Sequence, residues 1–195
     1  MANLYTNRWI YHGLMAVVYR RHWHEHYQAV AQWVPEEKEV LDVCCADGAL
    51  AAYLPASNHY HGLDYSPALV QAGQRRGRDV QQFDLRSGIL PEADIVCIQV
   101  SLFQFYPETA GILAKLYAAA RERLIVSESV FSLTQSRWKW IADIVGHGTQ
   151  MPGMKDHRFR FSPETLAKLF EPYQDKLRHH GPVCGGRDWI YVVDK

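Results

Sequence analysis

Residues 40–50 read VLDVCCADGAL and combine a predicted buried strand, a tight turn and the start of a helix. The nearly continuous apolar run is typical of a strand in a sheet that is covered on both faces. The turn that follows lies where α/β proteins keep glycine-rich loops for nucleotide-like cofactors. Two of the positions where such a loop has glycine hold Cys44 and Ala46, and only Gly48 remains. The stretch therefore predicts a cofactor loop with two substituted glycines.

Strand-like and helix-like segments alternate on both sides of this stretch. Such alternation indicates βαβ units and a mostly parallel sheet with helices on both faces. Ser66 is predicted to cap a helix that has Pro67 in its first turn, and Ser162 is predicted to cap the last helix. The predicted strands are KEVLDVCC, HYHGLDY, DVQQFDL, ADIVCIQV, RLIVSESV, KLRHHGPV and DWIYVVDK.

The predicted fold class is α/β, with a Rossmann-like, doubly wound, mostly parallel seven-stranded sheet. The last two strands are separated only by a turn, which favours an antiparallel C-terminal hairpin on one edge. The aromatic-rich residues before Pro35 predict an N-terminal helical cap. We expect one domain over residues 1–195, with the cap in 1–35 and the core in 36–195.

Composition restricts the classes of partner and the compartment. Lys plus Arg and Asp plus Glu both number 21, so the chain lacks the basic excess of a nucleic-acid binder. No run reaches about 18 apolar residues, so no membrane span is expected. The N-terminus does not resemble a secretory signal, and we expect a cytoplasmic protein with reduced thiols. Nothing in the sequence indicates an oligomeric state.

Acidic residues follow three successive predicted strands. Asp42 lies in the first strand, Asp64 ends the second and Asp84 follows the third, while residues 99–101 end the fourth. In open α/β sheets, ligands bind at the carboxyl ends of the strands, and a carboxylate about 20 residues beyond the loop can accept hydrogen bonds from ribose hydroxyls. Asp64 has this spacing. The alternative is that Asp64 and Asp84 are ordinary loop or cap carboxylates.

These motifs together resemble those of class I S-adenosylmethionine (SAM)-dependent methyltransferases of the compact small-molecule type. VLDVCCADG resembles the first motif, GLDYSPALVQAG the second, and FDLRSGILPEADIVCIQVSLFQF the next two. The resemblance extends from about Glu39 to the C-terminus. It implies SAM as the cofactor and a small-molecule acceptor that receives a methyl group by in-line displacement.

The resemblance also implies roles for particular residues. Asp42 would stabilise the loop near the methionine amino group, and the backbone from Cys44 through Ala46 to Gly48 would pass under the methionine and ribose. Asp64 would bind the ribose hydroxyls, and Asp84 would accept a hydrogen bond from the adenine amino group. The other implied cofactor contacts are Tyr65, Ser66, Leu85, Gln99, Val100, Ser101 and, in the cap, Tyr11.

The two substituted glycines are expected to weaken cofactor binding without abolishing it. Glycine permits positive φ and a close approach of the backbone. Ala46 adds one methyl group and is predicted to take a β-region conformation, and Cys44 is predicted to pack inward. Larger side chains at these positions would have indicated an inactive site.

The acceptor site is expected above the strand ends, between the cap and the segment after the fifth strand. His147 lies between two glycines in that segment and is the candidate catalytic base, although a surface-loop histidine is an equal alternative. His157, Arg158 and Arg160 form a basic cluster that could hold an anionic acceptor. Trp138, Trp140 and Met151 could line an apolar pocket.

Two other functional classes remain open. A non-catalytic SAM-fold binding or scaffold protein would explain the lost glycines, and a nicotinamide-linked oxidoreductase would also fit the loop spacing. No metal site is expected. His22 and His26 share a helix face, but no carboxylate or cysteine at ligand spacing follows them, and the chain has no Cys-x-x-Cys pair.

Overall fold

The computed structural model describes residues 23–130 and 159–195. In this part of the chain four α-helices accompany seven strands. The helices are α1 (Trp23–Ala31), α2 (Pro67–Gln74), α3 (Thr109–Ala119) and α4 (Pro163–Phe170). The strands are β1 (Glu39–Val43), β2 (His59–Asp64), β3 (Val80–Gln82), β4 (Ala93–Gln99), β5 (Ala120–Ser129), β6 (Leu177–Val183) and β7 (Asp188–Asp194).

All seven strands form one sheet in the order β3-β2-β1-β4-β5-β7-β6. The first five are parallel, whereas β7 is antiparallel to both β5 and β6. The predicted doubly wound sheet and its C-terminal hairpin are confirmed. The order reverses direction between β1 and β4, which is the point where such sheets bind ligands.

Apolar side chains cover both faces of the sheet. On one face α3 and α4 pack over β1, β4, β5 and β7, with Leu116 and Phe170 almost fully buried. On the other face α1 packs over the same strands, with Val30 and Ile125 at its centre. Alternate residues of each strand belong to the two clusters, as the pleat requires.

The predicted helix caps at Ser66 and Ser162 are confirmed. Ser66 Oγ accepts a hydrogen bond from the backbone N–H of Leu69, and Pro67 occupies the first turn of α2. Ser162 Oγ accepts from the N–H of Thr165, whose side chain accepts from the N–H of Ser162. Each cap satisfies N–H groups that the first helical turn leaves unbonded.

Two predicted elements are shorter than expected. β3 ends at Gln82, so Asp84 lies in the following loop, where its Oδ1 accepts from the N–H of Arg86 at 2.9 Å and turns the chain. The sequence predicts that α2 continues to a stop at Gly77, but α2 ends at Gln74 and is followed by a turn in which Gly77 has φ 73°. The sequence also predicts a helix in residues 136–146; this segment and most of the predicted cap lie outside the described residues.

Candidate cofactor site

The candidate site lies at the carboxyl ends of β1, β2 and β4. Asp42 on the central strand β1 is in register with Gly62 of β2 on one side and with Cys97 of β4 on the other. Because parallel strands end at the same edge, this register brings together the loops that follow all three strands. The sheet therefore assembles three of the predicted motifs at one edge.

The loop after β1 keeps the backbone conformation of a glycine loop at all three expected positions. Its φ angles are 59° at Cys44, 54° at Ala46 and 72° at Gly48. Positive φ costs a residue with a Cβ about 1–2 kcal/mol relative to the usual conformations. The expectation that Ala46 takes a β-region conformation is wrong, because the surrounding contacts hold the loop in its bent form despite the side chains.

Asp64 is the residue that holds this loop against the next one. Its Oδ2 accepts a hydrogen bond from the N–H of Ala46 at 2.7 Å, and its Oδ1 accepts from the N–H of Ser66 at 2.8 Å. Burial raises its pKa to about 6, although the two backbone N–H groups oppose that rise. Each carboxylate oxygen can accept a second hydrogen bond, so Asp64 can hold the loop and still bind ligand hydroxyls.

Asp42 lies inside a buried polar network instead of at the surface. Tyr60 donates its hydroxyl hydrogen to Asp42 Oδ2 at 2.9 Å, and the Cys97 thiol donates to Asp42 Oδ1 at 3.7 Å. Burial raises its pKa to about 7, partly offset by these bonds. Asp42 therefore links β1 to β2 and β4 through buried side chains.

Ion pairs of Asp47 with two arginines fix the same loop on the side of α2. Asp47 is fully buried and pairs with Arg76 and Arg78, which follow α2. Arg78 also donates to the backbone oxygen of Asp47 at 2.8 Å. Sequence reasoning missed this contact, because a loop aspartate and arginines about thirty residues later carry no local pattern.

A small pocket opens beside Asp64 at the ends of β1 to β3. It brings together five predicted site residues, which are Cys44, Asp64, Tyr65, Asp84 and Leu85. Sequence reasoning missed five further lining residues, which are Val43, Leu63, Phe83, Arg86 and Phe105. Carboxylates beside apolar and aromatic walls are typical of small-molecule pockets.

The segment after β4 is held in a strained conformation. Val100 has φ 45°, which is rare for a β-branched residue, and its N–H donates to the backbone oxygen of Ser127 at 2.7 Å. The Ser101 hydroxyl donates to the backbone oxygen of Gln99 at 2.9 Å. Strain of this kind persists where surrounding bonds fix it, and it is frequent at functional sites.

Glu128, which sequence reasoning also missed, holds this segment from β5. Its Oε2 accepts from the N–H groups of Leu102 and Phe103 at 2.7 and 3.3 Å, and its Oε1 accepts from the N–H of Ser129 at 3.0 Å. Burial raises the pKa of Glu128 to about 8. The only sequence signal was an acidic residue at the end of an otherwise apolar strand.

The thiols of the site are not poised as nucleophiles. Burial raises the pKa of Cys44, Cys45 and Cys97 well above that of a free thiol, and neighbouring carboxylates raise each further. All four cysteines are free. Because the thiolate is the reactive form, these side chains act through their packing.

Several predicted residues lie outside the described residues. They are Tyr11 of the cap, the candidate base His147, and His22, Trp138, Trp140, Met151, His157 and Arg158. Of the basic cluster, Arg160 is described, and its guanidinium lies 4.1 Å from the ring centroid of Phe103. The residues brought together are thus those of the cofactor side of the predicted site.

The described residues fit the SAM molecule that the resemblance implies. Gln99 Oε1 is buried and has no hydrogen-bond partner among the described residues, and it lies at the end of β4, beside which the methionine moiety is expected. Asp64 offers acceptors for hydroxyl groups, and Asp84 lines the same cavity with an acceptor for an amino group. The acceptors therefore match the donors that SAM carries.

Comparison with known proteins supports this assignment of the fold. A sequence model of the family described as methionine biosynthesis protein MetW matches residues 24–156. A search of curated proteins gave no match.

Among the described residues, no helix has both the length and the apolar character needed to cross a membrane.

Solved structures of SAM-dependent methyltransferases share the fold. Magnesium protoporphyrin IX methyltransferase from Synechocystis PCC 6803, with bound SAH, has a TM-score of 0.61 at 17% identity, covering 94% of this chain and 82% of that one. A SAM-dependent methyltransferase from Thermotoga maritima has a TM-score of 0.63 at 16% identity, covering 94% of each chain. Human N-acetylserotonin methyltransferase in complex with SAM has a TM-score of 0.64 at 15% identity, covering 98% of this chain and 57% of that one. The fold is that of a class I SAM-dependent methyltransferase.

Proposed function

The chain belongs to the family described as methionine biosynthesis protein MetW, and we propose that it is a SAM-dependent methyltransferase with a small-molecule acceptor. The proposal rests on the position and the contacts of Asp64. This carboxylate both holds the loop at Ala46 and lines the cavity at the end of β2. A pocket at the carboxyl ends of the parallel strands of this fold supports SAM as the cofactor.

In this proposal three hydrogen-bond acceptors each bind a different part of the cofactor. Asp64 accepts from the ribose hydroxyls, and Asp84 accepts from the adenine amino group. Gln99 Oε1, which is buried without a hydrogen-bond partner among the described residues, accepts from the methionine amino group. Phe83 and Phe105 supply apolar walls to the same cavity, where the adenine ring is best accommodated.

The chain's own contribution to the chemistry is positioning. When bound, SAM supplies a methyl group that its sulfonium has already activated. The residues after β4 hold the acceptor in line with that methyl group and exclude water, and such alignment contributes roughly 7–11 kcal/mol in favourable cases. A base is needed only for an acceptor that carries a proton on its reacting atom. His147 is the residue that we propose for that role.

The first experiment measures SAM binding by thermal unfolding. At a SAM concentration about a hundredfold above Kd, the stabilisation is about 2.7 kcal/mol, which raises the Tm of a domain of this size by roughly 5–10 °C. Asp64→Ala is expected to abolish the shift, and Asp84→Asn, in a loop, to reduce it. Asp79→Ala is the matched control, because Asp79 is exposed and bonds to His61 outside the cavity.

The second experiment separates an enzyme from a binding protein. Transfer of a radioactive methyl group from SAM to a panel of small hydroxyl, amine and thiol acceptors is expected for an enzyme. Binding of SAM without transfer to any acceptor would favour the scaffold alternative. No Tm shift with millimolar SAM would exclude both the enzyme and the scaffold protein.

The strand directions disfavour the nicotinamide alternative. The sheet contains an antiparallel strand, β7, whereas the strands of dinucleotide-binding sheets are parallel.

A further inference from the structure

A cluster of three different metal-ligand side chains lies apart from the cofactor loop. It consists of His26 on α1, Cys184 in the turn between β6 and β7, and Asp188 at the start of β7. One imidazole nitrogen, the thiol sulfur and one carboxylate oxygen all lie within 4.8 Å of one another. We propose that these three side chains bind a divalent transition-metal ion of the zinc type.

The spacing of the ligand atoms suits tetrahedral coordination. Zinc binds nitrogen and oxygen at about 2.0–2.1 Å and sulfur at about 2.3 Å, which places tetrahedral ligand atoms roughly 3.3–3.7 Å apart. His26 Nδ1 and Asp188 Oδ2 are 3.2 Å apart. No two of the three ligand atoms are more than 4.8 Å apart, and even a separation at that limit closes to the required value when the side chains move by about 1 Å.

The donor types select the class of metal. A thiolate, an imidazole and a carboxylate suit zinc and its neighbours in the first transition row, whereas magnesium and calcium require mostly oxygen ligands. Three protein ligands leave the fourth tetrahedral position for water or another donor. Calcium and magnesium therefore serve as negative controls for binding.

Burial and charge favour a cation at this place. His26, Cys184 and Asp188 are 3%, 6% and 0% exposed. A buried carboxylate needs compensation by a nearby positive charge. In the metal complex the Cys184 proton passes to solvent, and the charges of the thiolate and the Asp188 carboxylate balance those of a divalent ion.

The backbone presents Cys184 at a strained position. Its φ is 53°, and the next two residues, Gly185 and Gly186, have φ 67° and 83°. Glycine would occupy position 184 without strain, whereas cysteine costs about 1–2 kcal/mol there. Cysteine at a position suited to glycine supports a role for its side chain.

The site would join elements that are distant in the sequence. α1 precedes the sheet, whereas Cys184 and Asp188 belong to the terminal hairpin, so one metal ion would attach α1 to that hairpin. Asp188 pairs with Ser129 at the end of β5. Because β4 and β5 separate β7 from β1, the metal would lie about 14 Å from the loop after β1.

To test the proposal, the full-length chain is treated with a chelator and then titrated with Co²⁺. Zn²⁺ is added afterwards to displace the bound Co²⁺. We expect one equivalent to bind, with a thiolate-to-cobalt charge-transfer band and the visible absorption of tetrahedral cobalt, and Zn²⁺ to raise the Tm. Cys184→Gly suits the backbone at this position, so it should fold and yet lose the band and at least ~100-fold in affinity. His26→Ala should lose affinity similarly.

Matched variants complete the test. His24→Ala changes an exposed histidine of the same helix, and Cys97→Ala changes a buried thiol of β4; both should retain the band and the bound equivalent. No saturable binding of Co²⁺ or Zn²⁺ at micromolar concentration would overturn the proposal. The same holds for a charge-transfer band that persists in Cys184→Gly or disappears in Cys97→Ala.

Discussion

The glycine positions of the cofactor loop show how far contacts can override the preference of a residue. Cys44 and Ala46 take the positive φ angles that glycine favours, and Asp64 accepts the N–H of Ala46. The replacements therefore cost backbone strain of about 1–2 kcal/mol each and leave the course of the loop unchanged. Gly48 is the position in this loop where space also requires glycine, because a Cβ there would lie 2.8 Å from Val80 Cγ2.

Gly48→Ala and Gly77→Ala separate the effect of crowding from that of conformation. The two glycines have φ 72° and 73°, but a Cβ at Gly77 would contact no atom within 4 Å. Gly77→Ala is expected to cost about 1 kcal/mol of unfolding free energy, and Gly48→Ala about 1–3 kcal/mol more. Urea denaturation measures both, and equal losses would contradict the crowding argument.

At the scale of elements, Glu128 connects the end of β5 to the segment after β4. Its carboxylate accepts three backbone N–H groups, and burial raises its pKa from 4.5 to about 8. Between pH 4.5 and about 8, Glu128 therefore keeps its proton in the folded state, whereas in the unfolded state it has released it. Stability from this proton is fully present below about pH 4.5 and is lost as the pH rises through about 8.

Glu128→Gln removes this titration while keeping a carbonyl acceptor. Between pH 5 and 8 the unfolding free energy of the unmodified chain should fall more steeply than that of the variant, by up to about 1.4 kcal/mol per pH unit. Urea denaturation at four pH values tests the difference. Glu122→Gln, an exposed residue of the same strand, should leave the slope unchanged. Parallel slopes for Glu128→Gln and the unmodified chain would refute this account.

At the scale of the whole molecule, the hairpin is joined to the helical layer through Tyr191. This side chain is 2% exposed, and its ring stacks on that of Phe170 of α4, with centroids 4.1 Å apart. Its hydroxyl has no hydrogen-bond partner among the described residues. A buried polar group without a partner costs about 1–3 kcal/mol.

Tyr191→Phe should therefore stabilise the fold by about 1 kcal/mol, because it removes the hydroxyl and keeps the stacked ring. Tyr117→Phe is the matched comparison, since the Tyr117 hydroxyl accepts from Lys176 Nζ at 2.9 Å and donates to the backbone oxygen of Asp194 at 3.4 Å. That variant should lose about 0.5–1.5 kcal/mol. A loss of stability in Tyr191→Phe, measured by thermal and urea unfolding, would show that its hydroxyl is bonded.

The sheet and its hairpin were predictable because their signals are local. Apolar runs such as ADIVCIQV and cap residues such as Ser66 and Ser162 act over a few positions, and right-handed crossovers then restrict the topology. Asp64 and Asp84 were also predictable, since each follows a recognisable strand. The exact end of β3 was not, because it depends on the turn that the Asp84 carboxylate makes with the N–H of Arg86.

Local sequence was thus sufficient for the order of elements and for the placement of Asp64 and Asp84 at the carboxyl edge of the sheet. The positive φ of Cys44 and Ala46, the bond between Tyr60 and Asp42, and the cluster of His26, Cys184 and Asp188 required the folded chain. These features join residues that are far apart in the sequence, up to 162 positions between His26 and Asp188. Periodicity and motif spacing extend over a few turns of chain, whereas packing and hydrogen bonding decide which distant side chains meet.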